Sequence, residues 1–470
     1  MMRWPPTGRK QAVDPKGRPL IGLTENGDAL FGLDGHYLVL GGSGAGKTTS
    51  AVLPAFLSEV ASSKRRAVLA LDSKNELAIQ LVPMLAKMGL KVAVIDDMNV
   101  CPELAAYRIS LNPFGSAVAA FRRDPRDTVF ATETLTAALV PEPPGGDLKN
   151  RYFIEWPKKL IAFAIECLLK RNPDLATPGA VCTLLSDPNM LRGFAEIEAE
   201  EDDGALAAAA NAILAMEGHE HGPQHLEEAQ RSLRLYEKGR RLHEAGTEAA
   251  HSHFDLIRDK YIVFVIGPMA HMERLGSYYA MTMLGFFDAL YAGAGPLLVL
   301  ADEFTNCPLK STLTHGLTTL RSFGGAVQMF AQSRSEIERK FGRLETQTIE
   351  DNCVVKRWLG FSSFDEAERV SKAMGDQHAV ASSLGADGDG MKTNTNLSLI
   401  KQRWMSPAEL MAMPKGQQLV HIKGLGFFVT PTVAQNQVAP YCDLLAPNPM
   451  EGGKLPSDPK VTLTTPEDHI

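Results

Sequence analysis

The sequence predicts an α/β fold with a mainly parallel sheet, interrupted by an all-helical insertion. Seven short apolar runs bounded by turn residues are typical of strands: Tyr37 to Leu40, Ala67 to Leu71, Val92 to Ile95, Tyr261 to Ile266, Leu297 to Ala301, Ala326 to Ala331 and Val354 to Leu359. The runs are continuously apolar rather than alternating, which indicates strands covered by helices on both faces. Residues 96–260 contain no convincing strand and instead favour helices, such as the apolar face of Tyr152 to Lys170.

The composition is that of an ordinary globular protein. The 470 residues are 44% hydrophobic and 22% charged, which excludes a disordered, collagen-like or coiled-coil chain and suits two to three domains. The net charge of −7 argues against a protein that coats nucleic acid through bulk positive charge, because such binding draws on a basic excess. Any contact with DNA should therefore be local.

A phosphate-binding loop follows the first predicted strand. Gly41 to Thr48 reads G-G-S-G-A-G-K-T, a complete G-x-x-x-x-G-K-[ST] motif followed by a helix-compatible segment. Its glycines let backbone N–H groups turn toward a phosphate, and the helix N-terminus adds partial positive charge. We expect Lys47 to reach the β and γ oxygens of a nucleoside triphosphate and the Thr48 hydroxyl to ligate Mg²⁺. The residues predicted to bind the nucleotide are Gly42, Ser43, Gly44, Ala45, Gly46, Lys47, Thr48 and Thr49.

Two acids follow the predicted strand Leu297 to Ala301. At the carboxyl edge of a parallel sheet, the first acid, Asp302, is expected beside the metal ion. The second, Glu303, is expected to orient or deprotonate an attacking water. An acidic pair after a strand is also a common helix N-cap, but the phosphate loop favours the catalytic interpretation.

Polar side chains flank the next predicted strand, Ala326 to Ala331. Gln332 follows it and is placed to sense a γ-phosphate; the alternative is an amide that satisfies backbone groups at the strand end. Arg321 precedes it and could reach the nucleotide of a neighbouring subunit. A solvated surface arginine is the alternative for Arg321.

We expect three parts along the chain. Residues 1–114 and 256–445 form the nucleotide-binding α/β domain, residues 115–255 form an all-helical domain, and residues 446–470 form a flexible tail with prolines and little apolar content. Residues 115–258 carry 16 Lys and Arg against 23 Asp and Glu, a balance of −7 that equals the balance of the whole chain. An acidic insertion suits a basic protein partner better than DNA.

Other signals are weaker. The six cysteines are far apart, which is typical of free thiols, and we find neither a signal peptide nor a membrane span. The histidines at 219, 221 and 225 favour a solvated loop over a metal site, because no second pair of ligands accompanies them. Arg234, Lys238 and Arg241 could share a helix face that contacts phosphates, or could be solvated.

Seven short signatures occur in order: Asp72 to Leu77, Ser110 to Phe114, Leu300 to Phe304, Arg321 to Gly324, Ala331 to Ser333, Asn352 to Gly360 and Gln418 to Gly424. With them the chain resembles the type IV coupling protein family, the ATPases of conjugation and type IV secretion, over nearly its whole length. The resemblance implies a RecA-like motor that acts as a hexameric ring and uses ATP hydrolysis to drive DNA, or a relaxase with its DNA, toward a membrane channel. It also implies that the helical domain handles substrate, that Arg321 is the trans-acting arginine and that Gln332 is the sensor glutamine.

Two features depart from that family. Its members usually begin with transmembrane helices, and none is found in this sequence. We therefore expect a cytoplasmic protein recruited to the inner face of the bacterial inner membrane, either by a separate membrane partner or as a truncated member. Asn75 stands where the family's D-x-K-G-E pattern has glycine. Asparagine tolerates left-handed backbone angles better than most residues and could preserve the turn.

The leading hypothesis is a Mg²⁺-dependent ATPase that recruits DNA with its relaxase, effector proteins, or both, and delivers them to the channel components of a type IV secretion or conjugation system. One alternative is a different P-loop motor, either a double-stranded DNA pump or the channel's assembly ATPase. The other is a docking receptor in which nucleotide only supports the fold.

Overall fold

The computed structural model describes residues 16–141, 151–201, 204–216, 218–306, 316–386, 393–450 and 453–464. The strands are β1 (Leu20–Leu23), β2 (Ala29–Phe31), β3 (His36–Leu40), β4 (Ala67–Asp72), β5 (Val92–Ile95), β6 (Ile262–Ile266), β7 (Leu297–Ala301), β8 (Gly325–Ala331), β9 (Cys353–Trp358), β10 (Asp376–Ala386), β11 (Thr393–Arg403), β12 (Gln417–Ile422), β13 (Gly426–Pro431), β14 (Val438–Ala439) and β15 (Val461–Thr462). The α-helices are α1 (Leu53–Val60), α2 (Glu76–Lys87), α3 (Gly115–Arg123), α4 (Thr128–Leu139), α5 (Arg151–Arg171), α6 (Pro178–Ser186), α7 (Pro188–Glu201), α8 (Ala205–Met216), α9 (Gly222–Ser232), α10 (His253–Arg258), α11 (Gly276–Tyr291), α12 (Arg334–Phe341), α13 (Arg343–Asn352), α14 (Phe364–Met374), α15 (Pro407–Met411) and α16 (Tyr441–Leu444).

The central sheet has the strand order β13-β12-β9-β3-β8-β7-β4-β6-β5. The strands from β9 to β5 are all parallel to their neighbours, and they are the seven strands that the sequence predicts. The β12–β13 hairpin extends the sheet and runs antiparallel to β9. The predicted fold class, an α/β fold with a mainly parallel sheet, is confirmed.

Alternate residues along each central strand contribute to two separate cores. In β7, Leu297 and Val299 face one core, whereas Leu298 and Leu300 face the other. The second core is closed by apolar residues of α1 and α2, and the first by α11 together with helices of the insertion. Burial on both faces explains why these strands are continuously apolar in sequence.

Helices α3 to α10 lie between β5 and β6. The long helix α5 is central among them and packs against α4, α6, α8 and α9. Phe114, Leu160 and Leu185 of this helical part belong to the same apolar core as one face of the sheet. The insertion is therefore packed onto the sheet rather than connected to it by a linker.

The tail predicted to be flexible is instead anchored to the rest of the protein at a few of its described residues, although most of the others are exposed. β15 pairs in parallel with β14, and Val461 and Leu463 are 4% and 2% exposed. Asn448 adds a buried hydrogen bond from Nδ2 to Glu76 Oε2 at 3.2 Å. The prediction is wrong here because two apolar residues in alternation suffice to anchor a short strand in a core. Residues 465–470 lie outside the described residues.

Within the described ranges, no helix has the length and apolarity needed to cross a lipid bilayer. The cysteines at 101, 167, 182, 353 and 442 are free and buried, and Cys307 lies outside the described residues.

Candidate active site

The phosphate loop connects β3 to α1 at the carboxyl edge of the sheet. Gly44 and Gly46 have φ angles of +73° and +82°, which side chains with a Cβ rarely adopt, so the turn requires glycine at both positions. The Gly41 N–H donates to the Ala331 carbonyl at 3.2 Å. This bond fixes the start of the loop against the end of β8.

Lys47 lies over the loop and is only 7% exposed. Its ammonium group donates to the Gly41 carbonyl at 2.7 Å and lies 3.8 Å from Glu303 Oε1. The adjoining Thr48 and Thr49 are also buried. The lysine is thus held at the mouth of the loop by two oxygens that a phosphate could replace.

The helix after the loop begins with a wide π-type turn over Thr48–Val52. Pro54 has no N–H to donate to the Ser50 carbonyl four residues earlier. Instead, Arg357 of β9 donates from Nη2 to that carbonyl at 3.2 Å and from Nε to Gln418 Oε1 at 2.8 Å. Arg357 is 1% exposed, and burial lowers its pKa to about 10. In the part of the chain that the structure describes, no carboxylate forms an ion pair with it.

Buried carboxylates from two neighbouring strands meet beside the loop. Asp302 follows β7, Asp72 ends β4, and the two side chains are 5% and 0% exposed. Burial raises the pKa of Asp302 to about 6 and that of Asp72 to about 7, and mutual repulsion adds to the effect for Asp72. One oxygen of each, Oδ1, has no hydrogen-bond partner among the described residues. Such an arrangement is suited to a divalent cation, whose charge would offset the cost of burying carboxylates.

The donor set fits Mg²⁺ in particular. No group of three His, Cys, Asp or Glu residues in the described ranges could hold a metal by itself. Mg²⁺ commonly uses one or two protein ligands and completes its shell with water and phosphate oxygens. Asp302 and Thr48 could serve as those protein ligands.

Glu303 lies in a strained turn directly after Asp302. Its φ of +50° is left-handed, which costs of the order of 1–3 kcal/mol for a residue with a Cβ and occurs preferentially at functional sites. The Lys74 ammonium lies 3.4 Å from Glu303 Oε1, the oxygen that Lys47 also approaches. Burial disfavours the charge of Lys74, but the carboxylates of Asp302 and Glu303 outweigh this and raise its pKa. The sequence analysis did not predict Lys74 as a site residue, although it lies in the signature Asp72 to Leu77.

Gln332 is exposed at the end of β8, on the same edge of the sheet as the phosphate loop. Its backbone N–H donates to Glu336 Oε2 at 3.4 Å, and the Thr305 hydroxyl donates to the other oxygen of Glu336 at 2.7 Å. Glu336 therefore links the turn after Glu303 to Gln332. No specific sequence signal points to Glu336 beyond its place three residues after the N-cap Ser333.

Two family models match the sequence. One, described as "Type IV secretory system Conjugative DNA transfer", matches residues 7–114, and the other, "TraM recognition site of TraD and TraG", matches residues 296–415. The two matches lie on either side of the helical insertion and include the phosphate loop and the acidic pair. The chain belongs to the type IV coupling protein family.

Solved structures share the fold of this coupling protein. The bacterial conjugative coupling protein TrwBdeltaN70, unbound, superposes with a TM-score of 0.64 at 15% identity, covering 87% of this chain and 88% of that chain. TrwB in complex with the ATP analogue ADPNP gives 0.62 at 14% identity, covering 91% and 90%. VirB4 of Thermoanaerobacter pseudethanolicus gives 0.54 at 14% identity, covering 91% and 98%. These neighbours are RecA-like in fold. No curated protein matches the sequence.

Asn75, which stands at the family's glycine position, adopts a backbone conformation that glycine favours. The residue has a φ of +63°, the left-handed turn that the sequence suggested. Its side-chain oxygen also accepts a hydrogen bond from the Gly267 N–H at 3.3 Å. Asparagine thus keeps the turn of the coupling protein pattern and ties the end of β4 to the end of β6.

Arg321 is not brought to the site that contains the other predicted residues. It is exposed in a short 3₁₀ turn, Leu320–Phe323, directly before β8. Because β8 has seven residues and a strand rises about 3.3 Å per residue, Arg321 lies roughly 20 Å from the phosphate loop of its own chain. Arg321 therefore does not reach a nucleotide bound to the phosphate loop of its own chain.

Two predictions about the helical insertion are wrong in part. The histidines at 219 and 221 are exposed, as are Arg234 and Arg241, in line with the solvated interpretations. His225 is 1% exposed and stacks on Trp156 with ring centroids 5.8 Å apart, so it packs in a core rather than lying in a solvated loop. Arg234 and Arg241 do not share a helix face, because residues 234–244 form two 3₁₀ turns separated by a left-handed Gly239.

Proposed function

We propose that the protein is a Mg²⁺-dependent ATPase that couples hydrolysis to substrate delivery in conjugation or type IV secretion. The observation that carries this proposal is the meeting of Lys47, Asp302 and Glu303 beside a complete phosphate loop, with Lys47 and Glu303 3.8 Å apart. The similarity to TrwB structures in complex with ADPNP, and with ADP and Mg²⁺, supports ATP and Mg²⁺ as the ligands.

The residues have separate roles in the proposed reaction. The loop from Gly42 to Thr49 binds the phosphates. Lys47 leaves the Gly41 carbonyl and the Glu303 carboxylate and contacts the β and γ oxygens of the nucleotide instead. Asp302 and Thr48 would hold Mg²⁺, and the bound ion would supply positive charge to neutralise the phosphates. Glu303 accepts the proton of the attacking water. Gln332, connected through Glu336 to the turn after Glu303, senses the γ-phosphate.

The proposed active assembly is a homo-oligomeric ring, with a hexamer as the family's expectation. Arg321 is exposed on the edge of the sheet opposite the phosphate loop. In a ring, that edge of one copy can face the loop of the next, so Arg321 would stabilise transition-state charge in its neighbour. The site of a single chain is incomplete without this arginine.

The proposed substrates are DNA with its relaxase, or effector proteins, recruited through the helical insertion at 115–255. Its acidic balance favours a basic protein partner, and DNA contacts would be local within the ring. The segment 296–415 matches a model named for TraM recognition in TraD and TraG, which supports a second protein contact there. A separate membrane partner would hold the assembly at the channel.

Hydrolysis by the purified protein tests the enzymatic part. We expect ATP turnover that rises with DNA and with protein concentration, and that is lost in Lys47→Ala and Glu303→Gln. Lys238→Ala, a lysine in the insertion, is the matched control and should behave like the wild type. Equal rates for the wild type and Lys47→Ala would exclude the proposal.

Transfer assays in cells test the coupling part. A Glu303→Gln protein should not support substrate transfer if hydrolysis drives it. Transfer by that variant at wild-type frequency would identify a docking receptor instead. Because the VirB4 structure also superposes on this chain, an assembly ATPase is the second candidate, and failure to cross-link any relaxase or effector to the insertion would favour it.

A further inference from the structure

A cavity of about 410 Å³ lies where the helical insertion meets the α/β core, between α3, α4, α10 and α11. Its walls are formed largely by small residues, namely Gly115, Ala119, Ala120, Gly285 and Ala289. These small side chains on two helices, α3 and α11, leave a slot that their own packing does not fill. None of the residues proposed for ATP hydrolysis lines it.

Two opposite charges face this cavity without forming an ion pair with each other. The Asp288 carboxylate and the Arg123 guanidinium both line it, and neither forms an ion pair or a side-chain hydrogen bond with any described residue. The Asp288 side chain is exposed at the cavity, and desolvation by the surrounding protein raises its pKa to about 6, although Arg123 opposes the shift. An exposed carboxylate without an ion pair among the described residues is available to a cationic group of a ligand that enters the cavity.

None of the other polar groups of the cavity replaces Asp288 as the group that would meet a cationic ligand. His253 is 4% exposed, and burial lowers its pKa to about 3, so it is neutral at physiological pH and does not compensate the carboxylate. Asp127 adds a second acid to the lining. Arg123 is exposed, so its guanidinium can donate a hydrogen bond to a carbonyl oxygen of a ligand that enters the cavity.

The aromatic residues of the cavity suit a long side chain with a charged end. Phe130 is 69% exposed beside the slot. Tyr291 is fixed by a 2.6 Å hydrogen bond between its hydroxyl and that of Thr319. Lysine and arginine pack their aliphatic stems on apolar surface and place the charge at a polar group, and aromatic faces attract such cations.

We propose that this cavity receives an arginine or lysine side chain of a protein partner, with its charged end at Asp288. The proposal rests on the proposed function in that it gives the chemistry of the partner recruited by the insertion. Residues 115–258, with 23 acids against 16 basic residues, attract a basic protein and repel the phosphates of DNA. A protein is therefore favoured over a nucleic acid strand as the occupant.

The probe is N-acetyl-arginine methylamide, compared with its neutral isostere N-acetyl-citrulline methylamide by ligand-observed NMR on the full-length protein. One residue buries little surface, so the affinity should be in the millimolar range. We expect the arginine compound to bind at least about ten-fold more tightly than the citrulline compound, which a 1.4 kcal/mol charge interaction would produce. Asp288→Asn and the cavity-filling Ala119→Leu should abolish this difference.

Glu133→Gln is the matched control, because it removes an exposed acid of α4 that does not line the cavity; it should retain the difference. Equal binding of the two compounds, or unchanged discrimination in Asp288→Asn, would overturn the proposal. So would binding of a single-stranded oligonucleotide that requires Asp288. ATP hydrolysis should be unchanged in all of these variants. Wild-type protein that hydrolyses ATP but binds the two compounds equally contradicts this inference alone, whereas wild-type protein that discriminates between them but has no turnover contradicts the proposed function alone.

Discussion

Lys74 and Lys47 approach the same carboxylate oxygen of Glu303, at 3.4 Å and 3.8 Å. The two lysines belong to different elements, since Lys47 closes the phosphate loop and Lys74 follows β4. When a triphosphate draws Lys47 toward its own oxygens, Lys74 is the cation that stays with Glu303. The second lysine can therefore hold the proposed catalytic base in its strained turn.

We predict that Lys74→Met lowers kcat for ATP hydrolysis by about ten-fold or more, a fraction of what a general base contributes, and leaves KM nearly unchanged. Lys74→Arg should restore part of the loss, because it keeps a cation beside Glu303. Steady-state kinetics measure both, with the exposed Lys87→Met as control. A raised KM with unchanged kcat would instead place Lys74 in nucleotide binding.

Arg357 should stabilise the fold through the carbonyl that Pro54 leaves without a donor. Arg357→Met removes the donor to Ser50 and should lower the free energy of unfolding by about 1–3 kcal/mol, the cost of an unsatisfied buried polar group. Pro54→Ala supplies an N–H and should recover part of this loss in the double variant. Urea unfolding of the four proteins measures the coupling, with Lys356→Met of the same strand as control. Strictly additive effects would contradict the link.

Arg321 should act between chains. Arg321→Ala is expected to reduce turnover by about 10³-fold or more, the range for an arginine that stabilises phosphoryl-transfer charge. A mixture of Arg321→Ala and Lys47→Ala proteins should regain measurable activity, because some interfaces then combine an intact loop with an intact arginine. Mixing that restores nothing, at protein concentrations where the wild type is active, would contradict action in trans.

Asp288 should reduce stability at neutral pH. Its pKa is raised from 3.8 to about 6 in the folded protein, so the folded state binds the proton more tightly than the unfolded chain. The resulting penalty is full above pH 6 and absent below about pH 4, where both states are protonated. Asp288→Asn should therefore melt at a higher temperature than the wild type at pH 7.5 and at the same temperature at pH 4. A difference that persists at pH 4 would mean that packing, not ionisation, is responsible.

The packed tail should contribute to stability. Leu463 is 2% exposed, and Leu463→Ala should lower the free energy of unfolding by about 2–5 kcal/mol, as for other buried leucines. Thermal unfolding of this variant measures the effect. The exposed Leu455→Ala is the control, and equal behaviour of the two variants would mean that the tail is not anchored in solution.

The central sheet could be predicted from sequence because each of its strands is apolar on both faces. All seven parallel strands were placed to within one residue at each end. The β10–β11 hairpin could not be predicted, since its sequence has no continuous apolar run. The tail was missed because its anchor consists of two residues, Val461 and Leu463, in a segment rich in proline.

The residues of the site also divide into those that the sequence predicts and those that it does not. Lys47, Asp302 and Glu303 belong to local motifs, so their meeting follows from the order of parallel strands. Arg357 acts on Ser50, 307 residues away in sequence, and only the register of β9 beside β3 brings them together. An arginine in an otherwise apolar strand was the available signal, but a single sequence does not indicate which carbonyl it would meet.

The strand β8 has Arg321 before its first residue and Gln332 after its last. A buried strand hydrogen-bonded on both sides is stiff along its axis, so a displacement that a phosphate imposed at Gln332 would be carried to Arg321 at the other end. In the proposed ring that arginine would face the next nucleotide. One strand would then couple turnover in one copy to turnover in the adjacent copy, which would favour ordered over random hydrolysis around the ring.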